Sequence, residues 1–411
     1  MNLPPPTPVA DALRMILGSA ASPTGIESAP LRCAAGRTLA RDLAARRTQP
    51  PRAVSAMDGY AVRAADVATP PATLDLVGES AAGRGFDGVV GPGQAVRIFT
   101  GAPLPEGADT VLIQENAVAE PGRVRALQSA PKGRNIRRAG QDFSVGEVLL
   151  SAGIRLGAAD IALAAAMNHP ALPVFRRPRV AVLATGDELV LPGEEAGPDR
   201  IVASNSFALM ALAEAAGAEI VDLGIARDDL ASLGGAVARA REGGADLLVT
   251  LGGASVGDHD LVQRALVAGG MDLGFWRVAM RPGKPLLHGQ IGAMQVLGLP
   301  GNPVSAIVCG LLFVRPLIRA LCGDRHAGDD PSEAAVLAIS MAANDSRQDY
   351  VRARIIESAE GPPRVEPGPR QDSSLLKALS DADCLVVRPP RAPAAEAGTP
   401  CRMIRLTRLG A

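Results

Sequence analysis

The pattern of apolar and polar positions divides the chain into regions of different texture. Residues 1–45 begin with apolar side chains that recur on one helical face, and residues 143–178 hold a second helix candidate rich in Leu and Ala. Between them, residues 46–142 contain short β-like runs separated by Gly and Pro clusters. We therefore predict a helical linker domain built from 1–45 with 143–178, and a β-rich module at 46–142.

Strand and helix patterns alternate in the middle of the chain. The strand-like RVAVLAT is followed by the helical SFALMALAEAAG, and DLLVTLGG comes before another helical pattern. Such alternation is typical of βαβ units, which predicts an α/β domain at 179–325 with a mostly parallel sheet. Residues 326–411 return to short extended segments such as YVRARI, whose alternation fits a half-buried strand. A small β domain is therefore expected at the C-terminus.

The charge balance argues against a nucleic acid as the main partner. The 411 residues include 42 Lys and Arg against 43 Asp and Glu, whereas proteins that bind nucleic acid usually carry a basic surface. The five cysteines form no CxxC pair, so we expect reduced thiols and no zinc site. The N-terminus has no basic leader, and the longest strongly apolar run, Pro303 to Val314, is too short to span a bilayer. We expect a soluble cytoplasmic protein with no membrane association.

Three polar motifs that contain glycine follow predicted strands of the α/β domain. They are TGDEL at 185–189, the loop GGASVGDHD at 252–260, and GLPGNPVS at 298–305. Ligands of open parallel sheets bind beyond the carboxyl ends of the strands, where these motifs would meet. Glycines let backbone N–H groups approach an anion, and Ser255 and Ser305 could add hydroxyl donors. Together the motifs predict a phosphate cradle.

The same motifs carry carboxylates that would repel a bare phosphate. Asp187, Glu188 and Asp260 offer hard oxygen ligands, so we expect Mg²⁺ between them and the phosphate. Each motif alone has an ordinary alternative, since TGDEL can begin a helix and GLPGNP can be a turn with proline near a helix start. Three of them on successive strand ends are harder to explain as turns.

Polar turns outside these motifs offer further candidates. The RPGKP turn at 281–285 carries Arg281 and Lys284, a planar fork of donors and a point charge that suit a compact oxyanion. The β-rich module contributes Asp58 in SAMDGYA, Thr100 in FTGA and Asp142 at the end of GRNIRRAGQD. A solvated turn is the alternative for each of them.

Seven motifs, taken in chain order, closely resemble those of the molybdopterin molybdenumtransferases, the MoeA family, whose eukaryotic relatives include the gephyrin E domain. They are SAMDGYA, IFTGAPLPEGADTVL, GRNIRRAGQD, VAVLATGDEL, TLGGASVGDHD, RPGKP and GLPGNPVSA. The resemblance covers nearly the whole chain. It implies an elongated homodimer of multidomain α/β chains, with a three-layer molybdopterin-binding domain at 179–325 and a small β-barrel at 326–411. The implied reaction joins molybdenum from molybdate to adenylylated molybdopterin and releases AMP, with Mg²⁺ as cofactor.

The resemblance also implies roles for individual residues. Asp187, Glu188 and Asp260 would be catalytic, and Glu188 and Asp260 would also hold the metal. The substrate would be bound by Asp58, Thr100, Asp142, Gly252, Gly253, Ser255 and Gly257. Molybdate would be bound by Arg281, Lys284, Pro285, Ser305, Arg352 and Ser373, with Ser374 as an alternative to Ser373. The family usually has lysine at position 281, so arginine there keeps the charge but changes the donor geometry.

Two other functions remain open from the sequence. A molybdopterin adenylyltransferase would need only the α/β domain, and the β-rich module and terminal barrel argue against it. A scaffold resembling gephyrin would be expected to have a long linker or an additional partner-binding domain, which this sequence lacks. The resemblance further implies a cleft shared between the α/β domain of one subunit and the module of the other, and names the molybdopterin adenylyltransferase as a candidate partner.

Overall fold

The computed structural model places the apolar side chains in several separate cores. It describes residues 5–20, 23–253, 261–356 and 361–406. The accessible surface is 20066 Å², compared with about 15,000 Å² for one compact globule of this mass. The additional surface indicates an elongated, multidomain chain, as predicted.

The segments on either side of the β-rich module pair with each other. Antiparallel pairing joins 26–30 to 171–175 and 43–44 to 148–150, so both segments enclose one core around Leu39. The elements of this part are the strands Ile26–Pro30, Leu43–Ala44, Val148–Leu150 and Ala171–Phe175, the 3-10 turn Leu31–Cys33 and the helix Ala158–Ala166.

The inserted module is a six-stranded sheet with its own core. Across the sheet the strands are Thr110–Ile113, Gly59–Val62, Gln94–Ile98, Ala72–Ser80, Arg123–Ala126 and Ala117–Glu120. The short strands Val54–Ser55 and Ile136–Arg137 form a separate pair, and 3-10 turns lie at Ala64–Val67 and Gln114–Asn116. Gly59 is required here, because a Cβ at this position would lie 2.0 Å from the Leu112 carbonyl oxygen.

The central sheet has six strands and is parallel except at one edge. Its order is Glu219–Ala226, Arg179–Thr185, Leu247–Leu251, Met294–Leu299, Pro285–Ile291 and Asp272–Arg277. The first four strands are parallel, and Pro285–Ile291 is antiparallel to both of its neighbours, so Asp272–Arg277 runs in the same direction as the first four. Only two residues join 285–291 to 294–299, which is too short for a crossover and forces a hairpin. The prediction of a mostly parallel sheet is confirmed, with an antiparallel edge.

Helices cover both faces of this sheet and make the predicted three layers. One face packs against Val9–Ser19, Asn205–Ala216 and the long helix 303–321, and the other against Leu230–Glu242 and Leu261–Ala268. The long helix consists of Pro303–Cys309, a π turn Gly310–Val314 and Arg315–Leu321. A short parallel pair, Leu189–Val190 with Ile201–Val202, lies outside the main sheet.

The apolar run of the long helix extends further than the sequence analysis proposed. Pro303–Leu321 is the one helix among the described residues that is long and apolar enough to cross a membrane by length and composition. Two thirds of its apolar window, 67%, is buried inside the protein. The expectation that the longest apolar run is too short to span a bilayer was therefore wrong. The apolar helix does not end at Val314 but continues to Leu321.

The C-terminal region is a closed five-stranded barrel, as predicted. Its strands follow each other around the barrel in the order Glu333–Leu337, Pro400–Arg405, Cys384–Arg388, Gln348–Ile356 and Arg364–Pro367, which pairs again with the first. A short helix, Leu376–Ser380, follows Arg364–Pro367 along the chain. The two-residue strand Met280–Arg281 of the α/β domain adds to Gln348–Ile356 in parallel, so the two domains share a hydrogen-bonded edge.

A buried histidine lies where the first helix attaches to the central sheet. The Ser19 hydroxyl, at the end of Val9–Ser19, lies 3.2 Å from Nε2 of His288 and donates to Oε1 of Gln295 at 2.7 Å. Burial lowers the pKa of His288 below its ordinary value, so the folded state favours the neutral ring. Its contribution to stability is complete above pH about 6.5 and is lost as the pH falls below that value. We expect the melting temperature of the wild type to fall more between pH 7.5 and 5.5 than that of His288→Gln, and equal falls would contradict this assignment.

Candidate active site

A cleft of about 540 Å³ lies at the carboxyl ends of the parallel strands. It brings together the described parts of all three glycine motifs with one end of the 281–285 turn. The residues concerned are Thr185, Gly186, Glu188, Gly252, Gly253, Pro285, Pro300, Gly301, Asn302, Pro303 and Ser305. The common groove that the sequence analysis predicted for these segments is therefore present.

Gly252 and Gly253 occupy backbone positions that other residues take only under strain. Their φ angles are +96° and +64°. A Cβ on Gly252 would lie 2.8 Å from the Thr185 carbonyl oxygen, and one on Gly253 would lie 2.2 Å from Cγ2 of Val262. The neighbouring segment is equally close, because a Cβ on Gly301 would lie 3.7 Å from Cα of Gly252. This part of the cleft wall is therefore bare backbone, which a ligand can approach closely.

Two helices begin at the cleft and direct the positive ends of their dipoles towards it. Helix Asn205–Ala216 starts after Ser204, and the long helix starts after Asn302. Neither Ser204 nor Asn302 makes a side-chain cap hydrogen bond. In the long helix Pro303 has no N–H and the Val304 N–H donates to the Ser373 carbonyl, so the N–H of Ser305 and those at the start of Asn205–Ala216 remain for an anion. Ser305, only 5% exposed, lies in the first turn of the long helix. These features suit phosphate or another oxyanion.

The segment 204–206 is part of this site, although the sequence analysis did not select it. All three of its residues line the cleft, and Nδ2 of Asn205 donates to the Gly301 carbonyl at 2.7 Å. This hydrogen bond holds the start of one helix against the loop before the other. The signal was available in the sequence, because a short polar run directly before an apolar helical pattern is typical of a helix start.

Carboxylates crowd one rim of the cleft. Asp187 and Glu188 follow the strand Arg179–Thr185, and Asp228, which the sequence analysis missed, follows the neighbouring strand 219–226. Glu188 and Asp228 line the cleft, whereas Asp187 lies next to them outside its lining. The Asp228 N–H donates to Oδ1 of Asp187 at 3.2 Å. Burial raises the pKa of Asp228, and the charges of Asp187 and Glu188 raise it further. The strand-end rule applied to ARDDL would have identified Asp228.

Three predicted site residues fall on a segment that is not described. Ser255, Gly257 and Asp260 belong to 254–260 and lie outside the described residues. Among the residues that are described, no group of three His, Cys, Asp or Glu side chains is close enough to hold a metal ion. The metal site predicted at Glu188 and Asp260 therefore stays a prediction.

The two cations of the 281–285 turn have different surroundings. Arg281 forms an ion pair with Asp349 of the barrel, and Asp345 is 3.9 Å from its Nη1. Lys284 is exposed, and its ammonium group has no hydrogen-bond or ion-pair partner among the described residues. Pro285 lines the cleft. Lys284 is therefore the cation of this turn that is free to bind an added anion.

The barrel residues predicted to bind molybdate lie beside the start of the long helix. The hydroxyl of Ser373 accepts a hydrogen bond from Nδ2 of Asn302 at 3.0 Å, and its carbonyl accepts one from the Val304 N–H at 3.1 Å. Arg352 is only 3% exposed, so the expectation of a half-buried alternating strand was wrong at this position. Its two terminal nitrogens donate to the carbonyls of Arg370 and Asp372, which precede Ser373. Arg352 thus supports the loop that contacts the helix.

The predicted residues of the β-rich module lie elsewhere. Oδ1 of Asp58 accepts hydrogen bonds from the N–H and the hydroxyl of Thr100 at 2.7 and 2.8 Å. Both bonds lower the pKa of Asp58, and the bond from the backbone N–H has the larger effect. Asp142 lines a second cleft, of about 440 Å³, whose walls also carry Arg47, Arg52 and Arg137. None of the described residues Asp58, Thr100 and Asp142 lines the α/β cleft of the same chain.

The fold and the cleft together define a class of protein. A three-layer α/β domain binds anions where glycine-rich strand ends meet helix N-termini. Here that domain is flanked by a β-rich module and a closed barrel, and carboxylates and a free lysine lie near the same cleft. The class is a multidomain α/β protein with an oxyanion-binding cleft.

Comparisons with known families match three consecutive parts of the chain. Residues 7–168 match the MoeA N-terminal region (domain I and II), 181–320 a probable molybdopterin binding domain, and 334–406 the MoeA C-terminal region (domain IV). The chain belongs to the MoeA family of molybdopterin molybdenumtransferases.

Individual relatives agree with this assignment. A molybdopterin molybdenumtransferase of Haemophilus influenzae is 35% identical over 89% of this chain and 90% of its own length. One from Nostoc sp. is 44% identical over 66% of this chain, although the match spans only 63% of that relative. The crystal structure of the molybdopterin biosynthesis MoeA protein from Pyrococcus horikoshii OT3 has a TM-score of 0.83 at 27% identity, covering 97% of this chain and 99% of that one.

Proposed function

We propose that this protein inserts molybdenum from molybdate into adenylylated molybdopterin and releases AMP. The observation that carries the proposal is the meeting of Gly252, Gly253, Ser305 and two helix N-termini without side-chain caps in one cleft. Membership of a family whose curated relatives are named molybdopterin molybdenumtransferase supports the same reaction.

Two sets of donors would bind the two anionic substrates. The bare backbone at Gly252 and Gly253 and the helix N-termini suit the phosphates of the adenylylated pterin. Lys284, next to Pro285 at the edge of the cleft, and the hydroxyl of Ser305 would hold molybdate. Phosphoanhydride cleavage would then gain mainly from positioning and from charge stabilisation. No covalent bond between enzyme and substrate is required.

The acidic rim would attract a divalent cation. Burial raises the pKa of Asp228, and the charges of Asp187 and Glu188 raise it further, so a cation near these carboxylates would be favoured. Glu188 curves back over Gly186, where a Cβ would lie 2.6 Å from its Oε2. Together with Asp260 and the substrate phosphates, Glu188 would hold Mg²⁺, which would neutralise charge as the leaving phosphate departs. Asp187 keeps Asp228 in place through the hydrogen bond from its N–H.

The assay that tests the function supplies the substrates directly. The purified protein would be incubated with adenylylated molybdopterin, molybdate and Mg²⁺, and AMP release and the metal content of the pterin would be measured. We expect both to depend on molybdate. Formation of adenylylated molybdopterin from ATP and unmodified molybdopterin would instead show the adenylyltransferase. Failure to restore molybdoenzyme activity in cells that lack molybdenum insertion would favour a scaffold.

A homodimer would complete the site. The module residues Asp58, Thr100 and Asp142 lie outside the α/β cleft of their own chain, and we propose that the module of a partner subunit brings them to it. At a molybdate concentration too low for Lys284→Ala to turn over, mixed dimers of Asp58→Ala and Lys284→Ala chains should be more active than either variant alone, because one of their clefts has both parts intact. Mixtures no more active than the separate variants would exclude a shared cleft. We further propose that the protein acts in the cytoplasm, with the molybdopterin adenylyltransferase as a partner that supplies its substrate.

We expect Glu188→Gln to weaken the response to Mg²⁺. The substitution keeps the size of the side chain and removes one charged oxygen ligand, so half-maximal AMP release should need roughly tenfold more Mg²⁺, equivalent to about 1.4 kcal/mol. Glu194→Gln is the matched control, because Glu194 accepts the Leu191 N–H in the same loop and does not line the cleft. An unchanged Mg²⁺ requirement in Glu188→Gln would remove Glu188 from the metal site.

A further inference from the structure

The 281–285 turn is attached to the C-terminal barrel through a buried carboxylate. Met280–Arg281 pairs in parallel with the start of Gln348–Ile356, and this register places Arg281 opposite Asp349. Nε of Arg281 donates to Oδ1 of Asp349 at 3.0 Å, and Nη2 donates to Oδ2. The two residues therefore form a fork of two hydrogen bonds between the domains.

The two members of this pair differ in burial. The side chain of Asp349 is 6% exposed and that of Arg281 is 50% exposed. A buried carboxylate depends on its partner, since an unpaired buried charge is strongly unfavourable. A lysine at position 281 could offer only a point charge, whereas the guanidinium matches both carboxylate oxygens. The fork with Asp349 therefore explains why arginine stands at position 281. The charge of Arg281 is already balanced by this carboxylate of the barrel.

The opposite side of the turn is held by the long helix. Gly283 has a φ angle of +105°, and a Cβ there would lie 2.5 Å from Sγ of Cys309. The thiol of Cys309 donates to the Gly283 carbonyl at 3.7 Å. The turn is thus fixed between the barrel and the helix that begins at the cleft. Lys284 and Pro285 follow directly from this fixed segment.

We propose that Asp349 is a positioning residue for the molybdate end of the cleft. By holding Arg281 it keeps the 281–285 turn in place, so that Lys284 and Pro285 stand at the edge of the cleft. Asp349 acts through Arg281 and needs no contact with substrate. This inference rests on the proposed function, because Lys284 is assigned there to molybdate.

The test compares Asp349→Asn with Asp345→Asn in the full-length protein. Asp349→Asn weakens the fork, so the KM for molybdate should rise roughly tenfold while the Kd for adenylylated molybdopterin stays within twofold. Hydrogen exchange in the peptide covering residues 278–286 should become faster. Asp345→Asn is the matched control, because it removes the carboxylate 3.9 Å from Arg281 and leaves both fork bonds intact. It should leave the KM for molybdate, the Kd for the pterin and the rate of hydrogen exchange unchanged.

A double-mutant cycle separates positioning through Arg281 from general stability. If Asp349 acts through Arg281, then Asp349→Asn should raise the KM for molybdate little or not at all when Arg281→Met is already present. Arg281→Lys keeps the charge but loses the fork, so it should raise the KM for molybdate as much as Asp349→Asn does. It replaces Asp349→Asn in the test if that variant does not fold. Additive effects, or a lower melting temperature with no change in the KM for molybdate, would overturn the proposal. A wild-type protein without molybdenum insertion would overturn the proposed function instead.

Discussion

Replacing Lys284 by alanine is expected to raise the molybdate concentration needed for half-maximal turnover roughly 10- to 100-fold. The size follows from the loss of one charge-assisted hydrogen bond, about 1.5 to 3 kcal/mol. Arg281 would not compensate, because the barrel carboxylate Asp349 already occupies two of its donors. The measurement is the initial rate of AMP release as a function of molybdate at saturating pterin.

Two further lysine variants make this result interpretable. Lys284→Arg keeps a cation at the edge of the cleft and should recover most of the lost affinity. Lys377→Ala removes an exposed lysine that is paired with Asp381 in the barrel, and it should leave the molybdate requirement unchanged. If Lys284→Ala responded to molybdate like the wild type, the turn would have no part in binding the oxyanion.

Gly253→Ala is expected to lower the affinity for adenylylated molybdopterin at least tenfold and to destabilise the fold by about 2 kcal/mol. The φ angle of +64° alone costs an L-residue roughly 1–2 kcal/mol. A methyl group would also lie 2.2 Å from Cγ2 of Val262, so the loop would have to shift and would displace the backbone proposed to bind the phosphate. Calorimetric titration with the pterin and thermal unfolding measure the two effects.

The chain offers a control that isolates backbone strain from the steric clash. Gly270 has a φ angle of +90°, and a Cβ there would meet nothing within 4 Å. Gly270→Ala should therefore lower stability by the strain alone and leave pterin binding unchanged. Adding Val262→Ala to Gly253→Ala should restore part of the affinity. Normal pterin affinity in Gly253→Ala would show that this loop does not contact the substrate.

The convergence of the strand-end motifs could be predicted from the sequence because topology decides it. Once alternating strands and helices indicate a parallel sheet, the segments after 185, 251 and 299 must lie at the same edge. Asp228 follows from the same rule and could have been included. These segments place glycines directly before helix starts. This is a local feature, so the sequence alone shows it.

Contacts between domains could not be predicted in this way. Arg281 and Asp349 are 68 positions apart, and their pairing depends on how the barrel docks against the α/β domain. The burial of Arg352 likewise depends on the loop that folds over it, whereas the alternation of YVRARI indicates only that it lies in a strand. Neither the pattern of apolar positions nor a single motif contains this information.

The short strand Met280–Arg281 belongs to the α/β domain but pairs with a strand of the barrel. The long helix separates the two strands in the sequence, so the barrel depends on residues outside its own segment. The hydrogen bonds of Met280–Arg281 complete the edge of Gln348–Ile356, so a chain cut after the α/β domain would leave Arg281 without its carboxylate and the turn without its support. Chimaeras that exchange barrels between relatives would therefore need to carry the residue at 281 together with the one at 349. Where two relatives differ at these positions, we expect the pair to be inherited together.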